Sequence, residues 1–132
     1  MLHPNQFEVN EAWIAFWLND EPIHTARDGS FNCVCLMDAA SCFILGNAMI
    51  PVHEAEPSQL EAKRLLRTGR EHKKKMPKTL FVPMGEFEAN LTASARHEGI
   101  DVVPVEESQL LVFIDDARQG FKEYVQTGNS EG

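Results

Sequence analysis

Phe31-Asn32-Cys33-Val34-Cys35-Leu36-Met37 runs into Asp38-Ala39-Ala40-Ser41 and leaves through Cys42-Phe43-Ile44-Leu45-Gly46-Asn47-Ala48-Met49-Ile50. Two apolar runs around a short polar, small-residue segment read as an antiparallel hairpin joined by Asp38 to Ser41. Both runs are nearly continuously apolar, so both faces of both strands are expected to be covered. Pro51 closes the second strand.

Downstream, Ser58 with Glu61 three residues on is a capping-box pattern, opening a helix with Leu60, Leu65 and Leu66 on its inner side. That helix is expected to fade over Thr68 to Lys75, and Pro77 prevents its continuing. Thr79 to Val82 reads as a short buried strand. Phe87, Leu91 and Ala95 recur at helical spacing up to Gly99, a natural C-cap. Ile100 to Val105 is a further strand, and Leu111, Ile114, Ala117 and Phe121 mark a last helix over Ser108 to Tyr124. Upstream, Trp13, Ile14, Trp17 and Leu18 stand at i, i+1, i+4 and i+5. This spacing predicts a helix over Glu11 to Leu18, capped by Asn10 and ended by Asn19-Asp20-Glu21-Pro22. Thr25 to Ser30 reads as a polar loop. The order is helix, strand, strand, helix, strand, helix, strand, helix. It predicts an α/β domain whose mixed sheet opens with an antiparallel hairpin, is flanked by helices, and has its later strands parallel.

The chain of 132 residues fits one domain, assigned to residues 1–125, with a frayed tail over 126–132. Hydrophobic content of 43% and charged content of 24% fit a globular chain and exclude a disordered one. No apolar run approaches the roughly 20 residues of a membrane span, and the N-terminus lacks the pattern of a signal peptide. Three cysteines in core-like settings fit a reducing cytoplasm better than a disulfide framework.

Charge is unevenly placed. Lys63, Arg64, Arg67, Arg70, Lys73, Lys74, Lys75 and Lys78 are eight of the twelve basic residues, opposed within that window only by Glu71. The net charge of the whole chain is nevertheless -8, so one basic ridge sits on an acidic body. A general nucleic-acid binder would be basic over a whole face.

The order of elements, Met37-Asp38-Ala39-Ala40-Ser41-Cys42-Phe43-Ile44-Leu45-Gly46 and Leu80-Phe81-Val82-Pro83-Met84-Gly85-Glu86-Phe87 together resemble the ribonuclease H-like cores of integrases and transposases. The resemblance covers residues 31 to about 125 and continues through Gly99-Ile100-Asp101-Val102. The chain is still more similar to an uncharacterised bacterial domain family of this shape that lacks the catalytic acids. Polynucleotidyl transfer on this fold uses clustered carboxylates around two divalent ions. The resemblance implies a first acid on a strand before the hairpin, where Trp13 to Leu18 offers none and Asp20 is the nearest carboxylate. It implies a second acid after Leu80-Phe81-Val82, where Pro83 and Met84 stand, and neither side chain offers the oxygen that Mg²⁺ demands. Asp115, Asp116 or Glu123 could supply the third, but one carboxylate does not make a two-metal site. Asp38 lies in the hairpin turn, where such enzymes often have an Asp without a metal role.

Cys33, Cys35 and Cys42 are the only soft-ligand cluster, with His53 or His24 as a fourth ligand. Structural zinc sites place C-x2-C pairs in loops rather than C-x-C in an apolar strand, so core packing is the preferred reading. The five histidines are isolated. His97, just before Gly99, suits the negative end of a helix dipole. No nucleophile elbow or P-loop is present.

The sequence therefore leads to a ribonuclease H-like interaction module in a bacterial-type cytoplasm, without catalysis and without a cofactor. The ridge Lys63, Arg64, Arg67, Arg70, Lys73, Lys74, Lys75 and Lys78 is the expected interaction surface for an acidic protein partner or a second copy. The acidic groups considered for that contact are Glu54, Glu56, Glu106, Glu107, Asp115 and Asp116. Nucleic acid ranks below a protein contact, because the ridge lacks interleaved aromatics. The alternative is a divergent metal-dependent nuclease or nucleic-acid-binding domain using the ridge.

Overall fold

Ala12-Trp13-Ile14-Ala15-Phe16-Trp17 forms strand β1, not a helix, at the centre of the sheet. In the computed structural model, which describes residues 1–131 and the side chains of residues 1–124, it is followed by β2 (Ile23–Thr25), β3 (Gly29–Asp38) and β4 (Ile44–Pro51). Then come α1 (Gln59–Lys73), β5 (Thr79–Pro83), α2 (Asn90–His97), β6 (Asp101–Val105) and α3 (Leu111–Glu131). Of the expected frayed tail, Gly132 and the side chains of residues 125–131 lie outside the described residues. Among the described residues no helix is long and apolar enough to cross a membrane.

The correction at β1 has a clear cause. A segment apolar at every position satisfies the helical period and the strand period alike, and burial on both faces decides between them. Trp13 and Ala15 point into the core under α1 and α2, while Ala12, Ile14 and Phe16 point into the core under α3. Asn10 accordingly caps no helix. It turns the chain into β1 from a left-handed conformation at φ 64°.

The sheet order is β2-β3-β1-β5-β6, with β4 on the outer side of β3. β3 pairs antiparallel with β1, β2 and β4, and β5 lies parallel to β1 and β6, as expected for the later strands. The expected antiparallel hairpin forms, with Cys33 opposite Met49 and Cys35 opposite Asn47, and its second strand begins at Ile44 rather than Cys42. β3 is buried from Cys33 to Asp38. Only one face of β4 is covered, contrary to expectation, because it is an edge strand whose Ile44 and Met49 remain exposed. Part of the expected Thr25–Ser30 loop is strand, closing the short β2–β3 hairpin.

α1 starts as its capping pattern predicts, with Ser58 Oγ accepting the Glu61 N–H at 3.2 Å. It runs unbroken to Lys73, within the range over which it was expected to fade, and ends with Lys74 in the left-handed conformation. Its inner face is Ala62, Leu65, Leu66 and Gly69, while Leu60 is exposed. α2 begins only at Asn90, since Phe87, although buried, sits at φ 57° outside the helix. Its orphan N–H groups find a partner from elsewhere in the chain: the Glu56 carboxylate accepts from Ala89, Asn90 and Leu91 at 3.0, 2.7 and 3.1 Å.

Gly69 sets how closely α1 approaches the sheet. A Cβ there would lie 2.7 Å from Trp13 Cη2 and 2.9 Å from Cζ3. Gly120 on α3 faces open space. The overpacking cost of about 1–3 kcal/mol should therefore outweigh the helix-propensity gain in Gly69→Ala. Gly120→Ala should stabilise by about 0.5–1 kcal/mol, because only propensity acts there. Urea unfolding of the two variants should move the midpoint in opposite directions.

Candidate functional site

Two surfaces merit a chemical reading: the C-terminal ends of the parallel strands, and the basic ridge on α1. β1, β5 and β6 run parallel, so their ends bring Trp17, Pro83 and Val105 to one side of the sheet. This is where a polynucleotidyl transferase of this fold would gather its acids. Phe16 is buried in the core under α3, Pro83 ends β5, and Met84 follows it, exposed, with its N–H donating to the Val105 carbonyl at 2.7 Å.

α3 places Arg118 across these ends. Its Nε donates to the Trp17 carbonyl at 3.0 Å, and an Nη donates to Glu107 Oε1 at 3.2 Å. Glu86, in the turn after β5, lies near both. Burial and then repulsion from Glu107 raise its carboxyl above the usual range, and Arg118 pulls it partly back. Glu107 is thus bonded to Arg118 at the strand ends, and Glu86 stands near enough to feel the charge of both. Sequence reasoning missed Arg118 altogether and quoted Glu86 only as part of a fold signature. The sole local hint was an acidic residue just past a buried strand.

The other acids weighed from sequence do not join this cluster. Asp20 is exposed on the β1–β2 connection, where it lines a cavity of about 450 Å³ together with Arg118 and Lys122. Asp115 and Asp116 are exposed on α3, and Glu123 accepts a hydrogen bond from Gln119. Asp38 is fully buried, and its carboxylate accepts from the Asn10 N–H at 2.8 Å and from the Ser41 N–H and hydroxyl at 3.0 and 2.6 Å. Its role is to hold the hairpin turn. Among the described residues, no three His, Cys, Asp or Glu side chains converge as a metal site.

The thiols divide. Cys33 and Cys35 share the face under α3, and burial raises their pKa values to about 11 and about 12. Cys42 is exposed at the hairpin turn, and partial desolvation with the nearby charges of Asp116 and Asp38 raises it as well. All three are free.

The ridge is exposed at Lys63, Arg64, Arg67, Arg70, Lys74, Lys75 and Lys78, and half-buried at Lys73. Arg64 pairs with Glu61 at 3.2 Å. Lys73 Nζ stands 5.7 Å from the centre of the Phe43 ring, a cation–π contact that ties the ridge to the hairpin turn. Lys63, Arg67 and Arg70 lie along one side of α1 and meet Ser94, His97 and Glu98 of the α2 region across a cleft of about 230 Å³. His97 and Ser94 were invisible as companions of the ridge in sequence, since they belong to another element. Of the acidic groups considered as partners, Glu56 caps α2 and Glu107 pairs with Arg118, while Glu54, Glu106, Asp115 and Asp116 stay exposed.

No protein-family model and no curated protein matches this chain. Solved structures do. A chain of the simian T-cell lymphotropic virus intasome in complex with PP2A regulatory subunit B56 gamma superposes with a TM-score of 0.67 at 10% identity, over 93% of this chain. This chain spans 42% of that one. The catalytic core domain of BIV integrase superposes with a TM-score of 0.60 at 11% identity, over 93% of this chain and 74% of that domain. The fold is ribonuclease H-like. The likeness expected from the hairpin and the Leu80–Phe87 segment holds at the level of fold.

Two outcomes follow. Glu86 has a raised folded-state pKa, so its ionised form opposes folding at neutral pH, and the penalty disappears as pH falls below the unfolded value of about 4.3. Glu86→Gln should therefore melt above the wild type at pH 7, with the difference vanishing in acid; an equal or lower melting temperature at pH 7 would contradict this electrostatic picture. For the thiols, a small reagent near neutral pH should modify Cys42 alone in the native protein, with Cys33 and Cys35 reacting only after unfolding.

Proposed function

We propose that this chain is a ribonuclease H-like interaction module that performs no nucleotidyl-transfer chemistry and engages an acidic protein surface through its basic ridge. The observation that carries the reading is Arg118 at the strand ends. A guanidinium held by the Trp17 carbonyl and Glu107 puts a fixed positive charge where the family mechanism needs two divalent ions. Pro83 and Met84 supply no oxygen side chain beside it. The two buried free thiols, Cys33 and Cys35, and the Pro83-Met84 pair after β5 fit a cytoplasmic domain similar to the bacterial ones that lack catalytic acids.

Layer geometry bears on the partner. The ridge is on α1, and the exposed Asp115 and Asp116 are on α3, across the sheet. A ridge-to-acid contact between two copies would be head-to-tail and would not close into a two-fold dimer. A different protein with an acidic face is the better fit, and its attraction to the ridge should weaken with salt.

One specific observation favours a second reading, that of a divergent metal-dependent nuclease: Glu86 and Glu107 do converge. Thermal melting with Mg²⁺ or Mn²⁺ separates the two. The interaction module should show no saturable stabilisation, and metal-dependent cleavage of an oligonucleotide that is lost in Glu86→Gln or Glu107→Gln would overturn it. For the ridge, reversal of Arg64, Lys74 and Lys75 to Glu should leave the melting temperature nearly unchanged. It should also abolish the salt-sensitive retention of the protein on a column of immobilised acidic polypeptide. Unchanged retention would remove the ridge from the contact.

A further inference from the structure

Lys63, Arg67 and Arg70 stand at i, i+4 and i+7 on α1, so their like charges are neighbours on one helix face, an arrangement that is destabilising by itself. The dipole at the end of α1 compensates Arg70, which lies in the last turn, but not Lys63 or Arg67, which lie further in. In a chain with twenty acidic residues, none of these three cations has a carboxylate within ion-pair distance among the described residues. They face a cleft whose other wall is Ser94 and His97, with Glu98 at its edge and Leu66 and Met76 as its apolar lining.

Ser94 supplies an independent observation. It is only 7% exposed, and its hydroxyl has no hydrogen-bond partner among the described residues. It nevertheless opens into the cleft, where it is not sealed from solvent. A nearly buried hydroxyl that can donate, set opposite two guanidinium forks and an ammonium, is a donor set for a compact oxyanion. The cleft of about 230 Å³ is large enough for such an anion and several waters, at roughly 30 Å³ per water. Phe, Tyr and Trp are absent from its lining, and His97 is its one aromatic ring, so it lacks the succession of aromatic platforms found in single-strand nucleic-acid grooves.

We propose that the α1–α2 cleft is a binding site for a phosphoryl group, held by Arg67 and Arg70 as forks, by Lys63 as a point charge and by the Ser94 hydroxyl. Glu98 limits affinity by repulsion. The site goes beyond the interaction reading and does not depend on it, since it uses the inner ridge residues and a different ligand. The phosphoryl group is either free phosphate or one carried on a phosphorylated side chain.

Titration calorimetry with inorganic phosphate at low ionic strength tests it. One saturable site is expected, weakened tenfold or more in Arg67→Ala/Arg70→Ala. Binding should weaken about threefold in Ser94→Ala and become tighter in Glu98→Gln. These are surface or small changes, and an unchanged circular dichroism spectrum confirms that each variant is folded. A phosphoserine peptide binding tenfold tighter than phosphate would identify the carried group as the source, and equal binding would identify free phosphate. A non-saturating heat, affinity unchanged in the double variant, or duplex DNA binding with a steep salt slope but no phosphate site would each overturn the proposal.

Discussion

Asn10 makes the hydrogen bonds that tie the centre of the sheet to the α1 layer. It is nearly buried and left-handed, a conformation that Asn tolerates better than most residues. Its N–H donates to Asp38, its Oδ1 accepts from the Trp13 indole at 2.7 Å, and its Nδ2 donates to the Lys75 carbonyl at 3.0 Å. One side chain and its backbone thus join the start of β1, the end of β3 and the connection between α1 and β5. The Trp13–Asp38 register of the β1–β3 ladder is fixed at the same point. Losing the Asp38 or Trp13 partner would leave a buried polar group unpaired, at about 1–3 kcal/mol. The indole that Asn10 orients then rests against Gly69, so the same residue that pins the sheet also sets the height of α1 above it.

The hairpin, the capped start of α1 and the alternation after it were legible because their signals are local: a turn between apolar runs, a Ser-x-x-Glu pattern, a period of 3.6. β1 was not, because a strand buried on both faces has no period to distinguish it from a helix. Its identity is decided by having β3 on one side and β5 on the other, and neither neighbour is visible within an eight-residue window. The same limit hid the Asn10 network and the true start of α2, whose cap, Glu56, lies more than thirty residues upstream. The ridge was legible because its members are crowded into sixteen residues of sequence, on α1 and the connection that follows it. Its companions Ser94 and His97, and the meeting of Glu86, Glu107 and Arg118, arise from crossover connections that bring distant residues to one place.

The strand ends pose a problem common to parallel sheets. Their last carbonyls and the acids in the following turns converge on one side, and something positive must neutralise them. A divalent ion can do so, and on this fold it would also bring chemistry. Here a guanidinium from α3 satisfies the Trp17 carbonyl and one carboxylate at once, with its side chain only 23% exposed. The planar fork suits that geometry better than an ammonium would. It also anchors α3 to β1 across the core in which Phe113 and Ile114 are packed.

Charge separation between the layers follows from the same architecture. Because β1 sends Trp13 and Ala15 to one face and Ile14 and Phe16 to the other, α1 and α3 cannot share a surface. The basic side chains of α1 are therefore held away from the acidic pair on α3, and neither can quench the other within the molecule. Arg64 pairs with Glu61 on the same helix, whereas Lys63, Arg67 and Arg70 have no carboxylate within ion-pair distance among the described residues. For Lys63, Arg67 and Arg70, crowded on one side of the helix and opposite a nearly buried hydroxyl, the chemistry that fits is an oxyanion small enough to enter the cleft. Arg64, Lys74 and Lys75 flank that cleft in the open, where no second wall narrows the size of what can approach.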